Sequence, residues 1–206
     1  MSVKVVLPLE SPKPGTNMCS GCPGHCCRLR VDLTSYDIFR IAAIEKRRPG
    51  EFAEAIAAKG DDALAFKADG IMAKFILKHR QNGWCMLFNE KKELSCTIEH
   101  SKPAICLSYP FSLVGGVSTL RQNILCPPKN RLMADRAKMS PTVLEDGIWE
   151  FSRYQEMVDD WNLTAKGDET PDDFLVFAAS EMDLERTPLG RIIRKAKRAL
   201  RKLRKN

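Results

Sequence analysis

Cys19-Ser20-Gly21-Cys22-Pro23-Gly24-His25-Cys26-Cys27 is the stretch that decides how the chain must be organised. It has the spacing CxxCxxxCC. Two cysteines separated by glycine- or proline-bearing residues let the backbone curl, so that both thiolates face one ion while amide N–H groups point at the sulfurs. Gly21, Pro23 and Gly24 supply that bend. Four thiolates within nine residues would bring about four negative charges together, a state that a nearby cation must offset. Adjacent Cys26 and Cys27 are the awkward pair. In extended backbone neighbouring side chains point to opposite faces, so one is expected to serve the first site and the other a second site or a neighbouring group.

Working outward, four more cysteines follow at wider spacing: Cys85, Cys96, Cys106 and Cys126. Each lies beside a turn or an element end, with Gly83 before the first, Pro103 near the third and Pro127 after the fourth. A lone cysteine is more often a small buried hydrophobe than a ligand. Taken with Cys19, Cys22, Cys26 and Cys27, however, they complete an eight-ligand set. A chain of 206 residues with no export signal is expected in the cytoplasm, where thiols stay reduced, so metal ligation is favoured over disulfides. Eight thiolates can hold two zinc ions, one [4Fe–4S] cluster with the remaining cysteines structural, or two clusters. Of the three histidines only His25 sits in the ligand loop, where it can donate to a sulfur or replace a thiolate. His79 and His100 have ordinary polar neighbours and receive no role. The poverty of histidine leans toward an iron–sulfur cluster over zinc.

The combined pattern carries a resemblance. The CxxCxxxCC start is followed by Cys85-Met86-Leu87, Cys96-Thr97-Ile98 and Lys102-Pro103-Ala104-Ile105-Cys106-Leu107-Ser108-Tyr109-Pro110. Together these resemble the YkgJ-type cysteine-cluster family, described as zinc- or iron-chelating proteins, over about Cys19 to Cys126. The family pattern near the third of these segments reads roughly C-x-Ile-Tyr-x-x-Arg-Pro-x-x-Cys-Arg-x-Tyr/Phe-Pro. This chain departs from it at Glu99, Lys102 and Leu107. If the family's arginines neutralise an anionic cluster or bind a substrate carboxylate, Lys102 and Arg28 or Arg30 must serve here. The resemblance implies metal binding without assigning an activity. Proteins resembling this family include the flagellin lysine methylases, which use S-adenosylmethionine, so a cluster-dependent protein methylase is an alternative reading. Against it, the chain has no glycine-rich nucleotide loop after a strand and no CxxxCxxC spacing.

Composition bounds the rest. Apolar residues make up 44% and charged residues 29%, which excludes disorder over most of the length. No apolar run approaches the ~20 residues of a membrane-spanning helix. The net charge of +7 is concentrated at the C-terminus: residues 186–206 hold ten Lys or Arg and no acid, and removing those ten leaves −3 for the remainder. Leu189, Ile192, Ile193, Ala196, Leu200 and Leu203 recur there at helical spacing, which predicts a basic amphipathic helix. Such a helix can pack on the body, hold RNA or ribosomal phosphates, touch an anionic membrane face or dock on an acidic protein. No paired carboxylates or Ser-His-Asp set indicates catalysis. Asp159-Asp160 and Asp172-Asp173 read as a solvated helix end and a helix first turn.

Periodicity predicts helices over 34–46, 51–59 and 61–68, a hairpin from 84–88 to 93–98, and a second hairpin over 111–125 turning at Gly115-Gly116. Beyond Cys126-Pro127-Pro128, helices are predicted at 130–139, 143–161, 172–182 and 188–203, the third opened by Thr170-Pro171. The expected fold is mainly α with small β-hairpins. Its parts are a cysteine-rich metal-binding domain at 16–128, a helical extension at 129–185 that covers it, and the basic amphipathic helix at 186–206.

Overall fold

The computed structural model describes residues 23–90, 95–127 and 139–185. Cys19, Cys22, nearly all of the helix predicted at 130–139 and the basic helix predicted at 186–206 lie outside the described residues. The chain divides into two compact units, residues 1–57 with 74–154 and residues 58–73 with 155–206.

In the first unit, a short strand β1 (Asp32–Leu33) leads into helix α1 (Ser35–Glu45). Thr34 and Asp37 form a capping box, the Thr34 hydroxyl accepting from Asp37 N–H and the Asp37 carboxylate accepting from Thr34 N–H. Ile38 and Ile41 lie in the core, whereas Ile44, one turn on, is exposed. Next along the chain come β2 (Ala53–Ala57), then β3 (Phe66–Ala68) of the second unit, and β4 (Ile71–Leu77), of which residues 74–77 belong to the first. The sheet order is β1-β4-β2, with β3 also paired to β4. Leu33 faces Phe75 in the antiparallel β1–β4 register, and Lys78 N–H donates to Phe52 C=O at 2.8 Å.

A two-residue pair β5 (Phe88–Asn89) and β6 (Ser95–Cys96) follows, with Phe88 opposite Cys96. The one-turn helix α2 (Ala104–Ser108) carries Cys106. The hairpin β7 (Phe111–Val114) and β8 (Val117–Leu120) turns at Gly115 and Gly116, whose φ angles of 57° and 78° give the mirror-image turn that suits strand twist. Phe111 of this hairpin packs on Leu144 in helix α3 (Pro141–Thr164).

The second unit uses residues 66–73 and the C-terminal helices. β3 turns into β4 through Asp69 (φ 49°) and Gly70 (φ 76°). Side chains from the last turns of α3 satisfy the edge of β3: Asn162 accepts from Lys67 N–H and donates to Ala65 C=O, and the Trp161 indole donates to Lys67 C=O. Phe66 stacks on Phe174 of helix α4 (Pro171–Glu185) at 4.2 Å between ring centroids.

The mainly α expectation is therefore corrected to a mixed α and β fold. Two predicted helices are absent: 51–59 contains strand β2, and 61–68 contains a turn and strand β3. Alanine-rich 53–58 has helix propensity, but a segment this short between Pro49-Gly50 and Gly60 nucleates poorly alone, and pairing with β4 supplies its backbone bonds instead. At 61–65 the Asp62 carboxylate accepts from Leu64 N–H, a turn that competes with helix. The C-terminal helices are close to expectation, α3 and α4 being a few residues longer. The first predicted hairpin is reduced, since Cys85 makes only an isolated bridge to His79, Met86-Leu87 is a turn and the strand starts at Phe88.

Candidate metal centre

The site lies in the first unit and starts at Gly24. Its φ of 69° throws the chain into a 3-10 turn, His25–Arg28, closed by Cys27 N–H donating to Gly24 C=O at 2.8 Å. This turn removes the difficulty raised by adjacent cysteines. Because the backbone is not extended, Cys26 and Cys27 line the same cavity and their side chains hydrogen-bond each other. Cys27 C=O then accepts from Cys85 N–H at 2.8 Å, which ties the second cysteine segment to the first.

Trp84 stacks on Phe88 at 4.8 Å, and the Arg28 guanidinium lies 4.2 Å from the centre of the Trp84 ring. Phe88, opposite Cys96, in turn abuts Gly24. Cys106 arrives from α2, whose first N–H, that of Ala104, donates to the Asp37 carboxylate at 2.8 Å. Cys26, Cys27, Cys85, Cys96 and Cys106 thus line one cavity of about 200 Å³. The rest of its wall is largely aliphatic, with Leu29, Val31, Leu87 and Ile98, and the cations Arg30, Lys102 and Arg121 line it too.

The other predicted residues fall elsewhere. Cys126 lies beside Tyr109, whose hydroxyl hydrogen-bonds the Cys126 side chain and accepts from Leu125 N–H at 2.6 Å. Tyr109 itself lines the cavity. His25 is exposed, and His79 faces Cys85 across a bridge of backbone. Of the two arginines offered as substitutes for the family's, Arg30 lines the cavity while Arg28 is engaged with Trp84.

The electrostatics of the thiols follow from their crowding. A hydrogen bond from the Cys27 thiol stabilises the Cys26 thiolate and lowers its pKa to about 7, helped by the positive charge of Lys102. The same bond, with burial and the neighbouring cysteines, raises Cys27. Burial pushes Cys85 up, and pushes Cys106 well above an ordinary thiol. In the metal-free chain the cavity therefore favours one thiolate among several neutral thiols. Further deprotonation needs a cation, which is the behaviour of a soft-metal donor set.

Among the described residues, no three His, Cys, Asp or Glu side chains are drawn together tightly enough to hold an ion by themselves. Cys26, Cys27, Cys85, Cys96, Cys106 and Cys126 form no disulfide among the described residues. The donor chemistry fits a metal or cluster that would gather them.

Sequence reasoning did not single out three linked buried residues, Asp37, Arg40 and Glu150, of which Asp37 bonds the start of the helix that carries Cys106. Asp37 and Arg40 sit in what reads as an ordinary helix, although the capping box Thr34-x-x-Asp37 was a visible signal. Glu150, 110 positions from Arg40, had no local signal. Among the described residues, no helix is long and apolar enough to cross a membrane.

A family model described as "CxxCxxCC: Putative zinc- or iron-chelating domain" matches residues 18–137, a span that contains all eight cysteines. No curated protein and no solved structure matches the chain. Its own spacing, CxxCxxxCC, has one more residue between the second and third cysteines than the family's label. With more than half of its length matched, and with cysteines around one cavity, the chain belongs to this family of cysteine-cluster, zinc- or iron-chelating domains.

Proposed function

We propose that the protein is a metal-chelating module that holds an iron–sulfur cluster of the [4Fe–4S] type in the cysteine-lined cavity of its first unit. The ligands are drawn from Cys19, Cys22, Cys26, Cys27, Cys85, Cys96, Cys106 and Cys126. The observation that carries this reading is the convergence of Cys26, Cys27, Cys85, Cys96 and Cys106 on one cavity from four separate chain segments.

Iron–sulfur is preferred to zinc on three grounds. The cavity, about 200 Å³, is larger than one tetrahedrally ligated ion fills. More than four thiols line it, and no histidine does. When bound, a cluster supplies a cross-link between distant segments and a one-electron couple. The residues of the chain supply the remainder. Lys102 offsets thiolate charge at Cys26, the aliphatic wall lowers the local dielectric, and the Cys85 amide held on Cys27 C=O keeps two ligand segments in register.

The test is anaerobic purification followed by iron, zinc and acid-labile sulfide analysis with a visible spectrum. Brown protein absorbing broadly near ~400 nm, with sulfide and iron in comparable amounts, is expected. Colourless protein with one or two zinc ions per chain would replace this reading with closed zinc–thiolate sites.

A further inference from the structure

Asp37 sits at the meeting point of two helices. Its Oδ2 accepts from Thr34 N–H at 3.0 Å and from the Thr34 hydroxyl at 2.9 Å, closing the start of α1. Its Oδ1 accepts from Ala104 N–H at 2.8 Å, holding the start of α2 two residues before Cys106. That oxygen also accepts from Arg40 at 2.5 Å, and Arg40 in turn donates to Glu150 at 2.6 Å. Asp37, Arg40 and Glu150 are all buried. Arg40 Nε and Glu150 Oε2 are buried without a hydrogen-bond partner, so this charged chain is held in the interior at a cost that packing alone does not explain.

What the chain achieves is orientation. α2 is a single turn, too short to hold its own axis by helical hydrogen bonds. Its N-cap residue Pro103 makes no side-chain cap, so the Asp37 carboxylate is the group that fixes the first N–H. Arg40, gripped by Glu150, in turn fixes the carboxylate. We propose that Asp37 is a positioning residue for the metal centre, and that the Glu150–Arg40–Asp37 chain holds Cys106 in place through the α2 N-terminus. This rests on the reading of the cavity as a thiolate metal site. Outer groups that orient ligands are commonly worth ten- to a hundredfold in metal affinity.

The experiment compares the full chain with Thr34→Ala, Asp37→Ala and Glu150→Gln. Thr34→Ala removes the α1 cap and one of the two bonds on Asp37 Oδ2, but leaves Oδ1, the oxygen of the anchor, on Ala104 and Arg40, so it separates loss of helix stability from loss of the anchor. Metal release to an excess of chelator is followed by absorbance. Asp37→Ala should release metal roughly ten- to a hundredfold faster than the parent, Glu150→Gln severalfold faster, and Thr34→Ala at the parental rate. The proposal is overturned if folded Asp37→Ala releases at the parental rate, or if Thr34→Ala releases as fast as Asp37→Ala. Should Asp37→Ala fail to fold, Glu150→Gln against Thr34→Ala decides by the same comparison.

Amide exchange on the metal-free chains separates this proposal from the reading on which it rests. A parental chain that holds no metal defeats that reading alone. Faster exchange at Cys106 in Asp37→Ala or Glu150→Gln, and not in Thr34→Ala, would still support the anchor. Equal exchange at Cys106 in all four chains would overturn it.

Discussion

A Cβ on Gly24 would lie 2.5 Å from Cζ of Phe88, closer than real side chains ever approach. Phe88 is buried and stacked on Trp84, so a retreat would disturb that stack. Gly24 also holds a φ of 69°, which costs an L-residue roughly 1 kcal/mol before any clash. Overpacking of this kind typically adds about 1–3 kcal/mol. Gly24→Ala is therefore expected to lower the melting temperature and reduce metal per chain, because the turn that brings Cys26 and Cys27 to one cavity is distorted. Metal analysis and thermal unfolding of the variant check this; parental values for both would show that the turn tolerates a side chain.

The cysteines make separable predictions. Cys26→Ser, Cys27→Ser, Cys85→Ser, Cys96→Ser and Cys106→Ser each remove a sulfur from the cavity wall. Each is expected to lower bound metal and, since metal binding and folding are linked, to lower the melting temperature of the metal-loaded chain. The same substitutions should change the metal-free chain much less. Five variants that all keep parental metal content would contradict chelation by this cavity.

The legible part of this protein was its chemistry, and the illegible part was its packing. Cys85, Cys96, Cys106 and Cys126 gained meaning only when taken together with the CxxCxxxCC stretch, which is spaced by local chain geometry and can be read from neighbours a few residues away. Gly115-Gly116 was legible for the same reason: two positive-φ residues in succession define a hairpin. Asp69-Gly70 has the same character and marks the β3–β4 turn, but helix-forming 61–68 before it concealed the signal. The conversion of 53–57 from helix to strand depends on β4, and the pairing of Arg40 with Glu150 on a residue 110 positions away. No local pattern carries such contacts. The adjacent cysteines were misjudged by assuming extended backbone where Gly24 starts a turn.

In the second unit, Phe174 is fully buried, stacked on Phe66 at 4.2 Å and met edge-on by Trp161 at 5.6 Å. Phe174→Ala removes the ring on which the others rest. A loss of about 3–5 kcal/mol of stability is expected, measured by denaturant unfolding with Trp fluorescence as the probe. Phe174→Leu should recover a substantial part of it, since much of the loss is buried volume. A loss under 1 kcal/mol for the alanine variant would mean that this aromatic cluster is not where the unit draws its stability.

Helix α4 offers a test by pH. The Asp173 carboxylate accepts from Thr170 N–H at 2.8 Å and from the Thr170 hydroxyl at 2.8 Å, and these bonds hold its carboxyl below the usual aspartate range. An unfolded aspartate titrates near ~3.9. A carboxyl with a depressed folded pKa binds its proton less tightly in the folded state, so its contribution is complete above the unfolded value. It is lost as pH falls through the folded one. Asp173→Asn removes the titrating group while keeping its size. The variant should melt below the parent by a constant margin from pH 7 to about 5, and the margin should shrink below about pH 4 as the parent's own carboxylate is protonated. A margin that widened on acidification would require the opposite sign of shift, and so a carboxyl stabilised in its neutral form, which two donors on one oxygen do not allow.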